Sequence, residues 1–324
     1  MRIYITRRIP EEGINALEGH EIEIFEDAMP VPRKTLSEKI KSADALVSLL
    51  SDRIDAELMD QAQALKVIAN YAAGYDNIDI AEASRRGIVV TNTPDVLTDA
   101  TAELAWSLLF AAARRIGEAE RFTRAGRFIG WGPMLLLGQG IRGKTLGVIG
   151  AGRIGTRFAL GSKGFEMKVL YYDEAKNELL EKELGAARVD ISILLHEADF
   201  VSIHLPLTRY TKHLIDAHQL FRMKPTAVLV NTARGPIVDE KALVAALKAG
   251  KLAAAGLDVY EWEPDITTDL LGMENVVLAP HIGSATYQAR SAMAELCAYG
   301  ILKVFAGQIP SNIVNRDAWL NRKK

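Results

Sequence analysis

The stretch Lys144-Thr145-Leu146-Gly147-Val148-Ile149-Gly150-Ala151-Gly152-Arg153-Ile154-Gly155 decides the fold of this chain. A strand-like run ends at Ile149, and a helical pattern over Ile154 to Leu160 begins as the glycines finish. Glycines spaced G-x-G-x-x-G at such a junction have separate tasks. The first permits a tight turn, the second lets the backbone approach a pyrophosphate, and the third lets helix and strand pack closely. The helix N-terminus then offers unpaired N–H groups and a partial positive charge to phosphate oxygens. The spacing alone is weak evidence, but the strand before it and the helix after it make it a dinucleotide-binding turn. Gly150, Gly152, Arg153, Ile154 and Gly155 are its candidate contacts.

The next strand-like run, Lys168 to Tyr172, leads to Asp173. This residue lies about twenty positions past Gly150, where an acid that hydrogen-bonds the adenosine ribose is expected. Its carboxylate would repel a 2′-phosphate, and Glu174 beside it adds to the repulsion. The predicted cofactor is therefore NAD and not NADP, against the plainer reading of Asp173 as an exposed acid at a strand end.

Outward from this turn the chain alternates strands and helices. Before it, Arg2 to Thr6, Glu21 to Phe25, Ala45 to Leu49, Lys66 to Ala69 and Ile88 to Thr91 read as strands. Arg33 to Ser42 and Asp55 to Gln63 read as amphipathic helices. After it, the strand candidates are Phe200 to His204, Ala227 to Asn231, Ala253 to Asp258 and Val276 to Ala279. A helix is expected over Asp239 to Ala249, with Asp239 as N-cap and Gly250 as stop. Alternation of this kind implies βαβ units and parallel sheets. Two longer helices, Thr98 to Glu120 and Ala285 to Phe305, look like connectors. The expected architecture is α/β, with two doubly wound parallel-sheet domains (Rossmann/flavodoxin-like) and an interdomain cleft. Residues 98–287 would form the NAD-binding domain, and residues 1–97 plus 288–324 the substrate domain. Ligands favour such clefts.

The composition agrees with a chain of this size and class. At 324 residues, two domains are expected. The net charge of −2 carries no basic excess that would point to nucleic acid or an anionic membrane. No apolar run approaches the ~18 residues of a membrane span, and Met1 to Arg8 reads as a first strand and not a signal peptide. The single Cys297 excludes an internal disulfide framework and points to a reducing, cytoplasmic compartment. No metal site is expected. The Gly126 to Gly143 segment, which contains Trp131 and Leu135-Leu136-Leu137, has two readings. It is either an irregular loop packed on its own domain or an arm that packs on a second subunit, since exposed apolar loops are otherwise a liability.

Ligands in open α/β sheets sit outside the carboxyl ends of strands, so polar residues just past strands are the ones to examine. Arg234 follows Val228 to Ala233, Glu263 follows Gly256 to Trp262, and His281 follows Val276 to Pro280. These are the types needed to reduce a 2-keto acid. An arginine fork holds the carboxylate and polarises the ketone. A histidine donates a proton near neutral pH, and a carboxylate beside it orients the ring and favours its protonated form. Alone, such an arginine or histidine is more often an ion-pair partner or a structural residue. His20, His196, His204, His213 and His218 are read as structural, with His204 edging the cofactor crevice.

Four motifs occur in order: Gly150 to Gly155, then Asn231-Thr232-Ala233-Arg234-Gly235, then Asp258-Val259-Tyr260-Glu261-Trp262-Glu263-Pro264, then Pro280-His281-Ile282-Gly283-Ser284. With them the whole chain resembles the D-2-hydroxyacid dehydrogenases. The resemblance implies that Arg234 binds substrate, Glu263 tunes the histidine and His281 is the acid/base, while Glu261 is a neighbour without assigned chemistry. It also implies that Leu205, Pro206, Thr232, Ala233, Asp258 and Gly283 edge the cofactor, Asp258 facing the nicotinamide carboxamide. Thr98 either touches the cofactor or only caps its helix. Tyr71 to Asp79 resembles the family's substrate loop, with the Ala73 and Gly74 N–H groups approaching a carboxylate, although a plain turn is the alternative. The Pro280 to Thr286 motif and the Trp131 loop look most like glyoxylate and hydroxypyruvate reductases. Phosphoglycerate and D-lactate-type dehydrogenases remain as alternatives, and an NAD-sensing binding protein as a reading from another class. A homodimer is expected, with a small 2-keto acid as substrate and neither nucleic acid nor membrane as partner.

Overall fold

Five short aliphatic runs build the first sheet: β1 (Arg2–Ile5), β2 (Glu21–Ile24), β3 (Ala45–Ser48), β4 (Val67–Asn70) and β5 (Val89–Thr91). All pair in parallel, in the order β2-β1-β3-β4-β5. The strands β3, β4 and β5 are buried along their whole length, as expected where helices cover both faces. Helices α1 (Glu11–Asn15), α2 (Arg33–Lys39), α3 (Ala56–Gln61) and α4 (Ile80–Arg85) make the crossovers. Asp55 and Asp79 cap α3 and α4 by accepting from the Leu58 and Glu82 N–H groups. This computed structural model describes residues 1–322, and it divides into two compact units. The sheet just described belongs to the unit made of Met1–Leu97 and the chain from Ser284 onward; Thr98–Gly283 forms the other.

The second unit opens with α5 (Thr98–Ala113) and α6 (Ile116–Arg124). Its sheet contains β6 (Thr145–Ile149), β7 (Lys168–Tyr172), β8 (Ala187–Arg188), β9 (Phe200–Ile203), β10 (Val228–Asn231), β11 (Ala254–Leu257) and β12 (Val276–Leu278). The order is β12-β11-β10-β9-β6-β7-β8, again all parallel. Helices α7 (Arg153–Gly161), α8 (Glu178–Leu184), α9 (Ile191–Glu197), α10 (Ala217–Arg222), α11 (Glu240–Lys248) and α12 (Thr268–Leu271) connect the strands. The strand order reverses between β6 and β9, and the glycine turn sits there, at the switch point where such sheets bind ligands. The core is aliphatic, and Phe158, Tyr171 and Phe200 are its largest enclosed side chains. The chain then returns to the first unit as α13 (Tyr287–Phe305), which packs on α1 and β4.

Three expectations are corrected. The single helix from Thr98 to Glu120 is two, because Arg115 adopts a left-handed φ of 54°. Nothing in Ala113-Arg114-Arg115-Ile116 forbids a helix. The break is held by distant groups: the Gln139 N–H donates to the Ala113 carbonyl (2.8 Å), and the Arg115 guanidinium takes Glu118 (2.7 Å) and the Leu137 carbonyl (3.3 Å). The last helix starts at Tyr287 and not Ala285, because the Thr286 hydroxyl caps it by accepting from the Ala289 N–H (3.1 Å). The edge strand β8 was not anticipated, since its two exposed residues carry no apolar alternation.

Candidate functional site

The glycine turn is built by close approach. Gly150 has a φ of 94°, and a Cβ on it would lie 2.8 Å from the His204 carbonyl at the end of neighbouring β9. A Cβ on Gly155 would lie 1.9 Å from the Gly150 oxygen. Gly152 is different: a Cβ there would meet nothing within 4 Å, so open space lies above the turn. Gly152 precedes α7 without any side-chain cap, so Arg153, Ile154 and Gly155 begin a helix whose first turn is left uncapped, as an anion-binding helix start is. Asp173, just past β7, accepts from the Ala151 N–H (2.7 Å) and the Ala175 N–H (3.1 Å). Sequence reasoning missed Asn177, whose amide donates to the Ala151 carbonyl (2.9 Å) and the Thr156 hydroxyl (2.7 Å). Its position before α8 reads as an N-cap, which it also is, and that role hides the other. Thr98 is the first residue of α5, and Leu205 and Pro206 follow β9.

Because β10, β11 and β12 are parallel neighbours, the residues past them fall on one edge of the sheet. The Asn231 side chain shapes the first loop. It donates to the Arg234 carbonyl (2.9 Å) and accepts from the Ala233 N–H (3.0 Å). The Thr232 hydroxyl is buried and, among the described residues, has no hydrogen-bond partner, as a group awaiting a ligand would be. Past β11, Asp258 is fully buried and its two oxygens accept from the Ile282 N–H (2.7 Å) and the Gly283 N–H (2.8 Å). The Asp258 carbonyl also takes the His281 N–H (2.9 Å). These three bonds hold His281 at a left-handed φ of 56°, which costs a non-glycine residue on the order of 1 kcal/mol. Burial raises the Asp258 pKa, although the two N–H donors and His281 oppose this.

Glu263 completes the cluster. One carboxylate oxygen accepts from the Tyr260 N–H (3.0 Å), and the other lies 2.8 Å from His281 Nδ1. Burial works to raise the Glu263 pKa. The bond and charge of His281, then the Tyr260 N–H and the Arg234 charge, outweigh it and hold the carboxyl below the usual glutamate value. With Nδ1 occupied, Nε2 is the ring atom through which His281 can exchange a proton with a ligand. The structure thus brings Arg234, Glu263 and His281 together within one unit, on the edge that also carries the glycine turn. Glu261, which had no assigned chemistry, is bonded to His213 at 2.6 Å.

In the other unit, Asn92 and Asn70 donate to the Ala73 and Gly74 carbonyls (2.7 and 2.8 Å). This fixes the orientation of both peptides, and among the described residues neither N–H has an acceptor. These two asparagines were not singled out in the sequence, because each looks like an ordinary strand-end polar residue.

Comparisons with known proteins fit this geometry. A family model described as the D-isomer specific 2-hydroxyacid dehydrogenase NAD binding domain matches residues 106–283. A glyoxylate reductase of Thermococcus litoralis is 53% identical over 98% of this chain and 97% of its own. An NADPH-dependent glyoxylate/hydroxypyruvate reductase of Sinorhizobium meliloti, solved with NADP and malonate, is 33% identical. It covers 100% of this chain and 98% of its own, with a TM-score of 0.86. A D-lactate dehydrogenase of Aquifex aeolicus, solved with NAD and lactic acid, is 30% identical over 97% of this chain and 99% of its own, with a TM-score of 0.85.

Proposed function

Since the chain belongs to the D-isomer specific 2-hydroxyacid dehydrogenase family, we propose that it reduces a small 2-keto acid, glyoxylate or hydroxypyruvate, to the 2-hydroxy acid with NADH. The observation that carries this reading is the Glu263–His281 pair, held on the same sheet edge as Arg234 and the glycine turn. The residues fit a bound dinucleotide. Gly152 leaves space for a pyrophosphate, α7 starts beside it without a side-chain cap, and the Thr232 hydroxyl is buried without a partner among the described residues. Gly150, Gly152, Arg153, Ile154, Gly155 and Asp173 would hold its adenosine and phosphates. Leu205, Pro206, Thr232, Ala233, Asp258, Gly283 and Thr98 would lie along the rest. When bound, the dinucleotide supplies the hydride.

Arg234 grips the substrate carboxylate with its guanidinium fork and draws electron density from the ketone. Glu263 stays ionised, orients the His281 ring through Nδ1 and favours the imidazolium. His281 Nε2 then gives its proton to the ketone oxygen, and the reverse direction uses the neutral ring as base. Asp173 disfavours the 2′-phosphate of NADP, because its carboxylate is pinned at the Ala151 N–H and cannot turn away without loosening the turn. The experiment that tests this reading follows NADH absorbance with glyoxylate, hydroxypyruvate, pyruvate and phosphohydroxypyruvate. Glyoxylate and hydroxypyruvate should give the fastest loss. A flat trace with all four would sink the reading.

We further propose that the protein is a homodimer located in the cytoplasm. No helix among the described residues is long and apolar enough to cross a membrane, and the lone Cys297 is buried. The dimer is supported by Phe128, Ile129, Trp131, Met134 and Leu137, which are each more than half exposed on one segment.

A further inference from the structure

We propose that His213 and Glu261 form a second histidine–carboxylate clamp that positions Glu263, and through it His281, for proton transfer. This rests on the role given above to His281. The segment after β11 carries two glutamates, Glu261 and Glu263, two positions apart, and each is bonded to a different histidine. Glu263 lies 2.8 Å from His281, and Glu261 lies 2.6 Å from His213. The second pair differs in setting: the Glu261 side chain is only 9% exposed, so its oxygens depend on protein hydrogen-bond partners more than on water.

The clamp ties three loops together. His213 donates its backbone N–H to the Pro236 carbonyl (2.8 Å), which anchors it to the loop of Arg234. That loop touches the Glu261 segment so closely that a Cβ on Gly235 would lie 1.9 Å from the Tyr260 carbonyl group. Buried Glu240, at the start of α11, closes the assembly. It accepts from the Glu261 N–H (2.6 Å) and the Thr267 hydroxyl (2.5 Å), while its own N–H donates to Glu261 (3.3 Å). The direct consequence falls on Tyr260, because its N–H is the second hydrogen-bond donor to Glu263. Moving residue 261 moves residue 260, and the Glu263 carboxylate turns with it. His213 keeps a left-handed φ of 52°, a conformation that persists in a non-glycine residue only where surrounding contacts dictate it. The titratable and charged groups of the assembly are the carboxyl groups Glu240, Glu261, Glu263 and Asp258 and the basic side chains His213, Arg234 and His281.

His213 and Glu261 are therefore positioning residues, and the test needs readouts that loss of stability alone would not move. The variants are His213→Ala, His213→Gln, Glu261→Gln and His281→Ala, each as full-length enzyme, assayed with NADH and glyoxylate. His213→Ala and Glu261→Gln should lower kcat about tenfold, with the KM for NADH within about twofold of wild type. The alkaline limb of the rate profile should move about half a unit or more toward lower pH, because a loosened Glu263 favours the imidazolium less. His213→Gln keeps a donor for Glu261 and should recover most of the rate and the profile. Where His213→Ala is poorly folded, the near-isosteric Glu261→Gln decides. A lower Tm with unchanged kcat and an unmoved profile in His213→Ala or Glu261→Gln would overturn the clamp while leaving His281 as the acid. Full turnover in His281→Ala would overturn the parent reading, and the clamp with it.

Discussion

His281 and His204 show how one residue type acquires opposite behaviour from its surroundings. His281 stands beside a carboxylate, with Nε2 left for a ligand. His281→Ala should cut kcat by about 10²–10⁴ while NADH affinity changes little, since the ring acts only on the transferring proton. Stopped-flow turnover with NADH titration checks both numbers, and unchanged turnover would remove the assigned role. Among the described residues His204 has no anionic partner; it packs on Phe158 (5.0 Å between rings) and bonds Ser202 (2.9 Å). Burial lowers its pKa to about 3. The unfolded chain therefore binds the proton more readily, and this histidine's contribution to stability is complete above about pH 6.5 and is lost as pH falls toward 3. Part of the residue still reaches the surface, so a loss on the order of 2 kcal/mol is expected and not the full window. Denaturant unfolding of wild type and His204→Asn at pH 7 and pH 4.5 should show the wild type losing more; parallel losses would contradict this. The grouping of Arg234, Glu263 and His281 was legible because each is a specific polar residue type past the end of a strand. That Asp258 grips the His281 loop was not legible, because it requires knowing that the β11 and β12 ends are neighbours.

At the scale of elements, the strands were read correctly to within a residue at most ends, because buried parallel strands are continuous apolar runs. Helix ends were less legible. The Arg115 break depends on Gln139 and Leu137, more than twenty residues away, and no local residue announces it. The strand–turn–helix unit at Gly150 has no room for a larger residue at its third glycine. Gly155→Ala would drive a Cβ to within 1.9 Å of the Gly150 carbonyl oxygen, which is backbone and cannot swing aside. The turn must open, so NADH binding should weaken by at least about tenfold, with a loss of about 1–3 kcal/mol in stability from overpacking. Gly152→Ala is the control, since a Cβ there meets no protein atom and the unbound fold should keep its wild-type Tm. Calorimetry of the two variants with and without NADH separates the effects. Equal binding by wild type and Gly155→Ala would show that the close approach does not matter.

At the scale of the whole molecule, the exposed 128–137 segment carries the proposal of a dimer. Ile129 is 99% and Trp131 85% exposed, a display that a free monomer would keep in water at a cost of about 25 cal/mol per Å² of apolar surface. Sedimentation at micromolar concentration should give a dimer for the wild type. Ile129→Asp with Trp131→Asp should shift it toward monomer without lowering the Tm of the remaining fold, whereas a wild-type monomer would end the dimer proposal. The sequence by itself determined the class, two parallel α/β sheets, the dinucleotide turn and the residue types of a keto-acid reduction. These follow from local rules: apolar period, glycine at positive φ, and polar residues just past strands. Only the tertiary structure decided how the site is held. Asp258 on the His281 loop and the His213–Glu261 bond join residues that sequence leaves unrelated, and hydrogen bonds across 20 or more positions exist only once the strand order has made their loops neighbours.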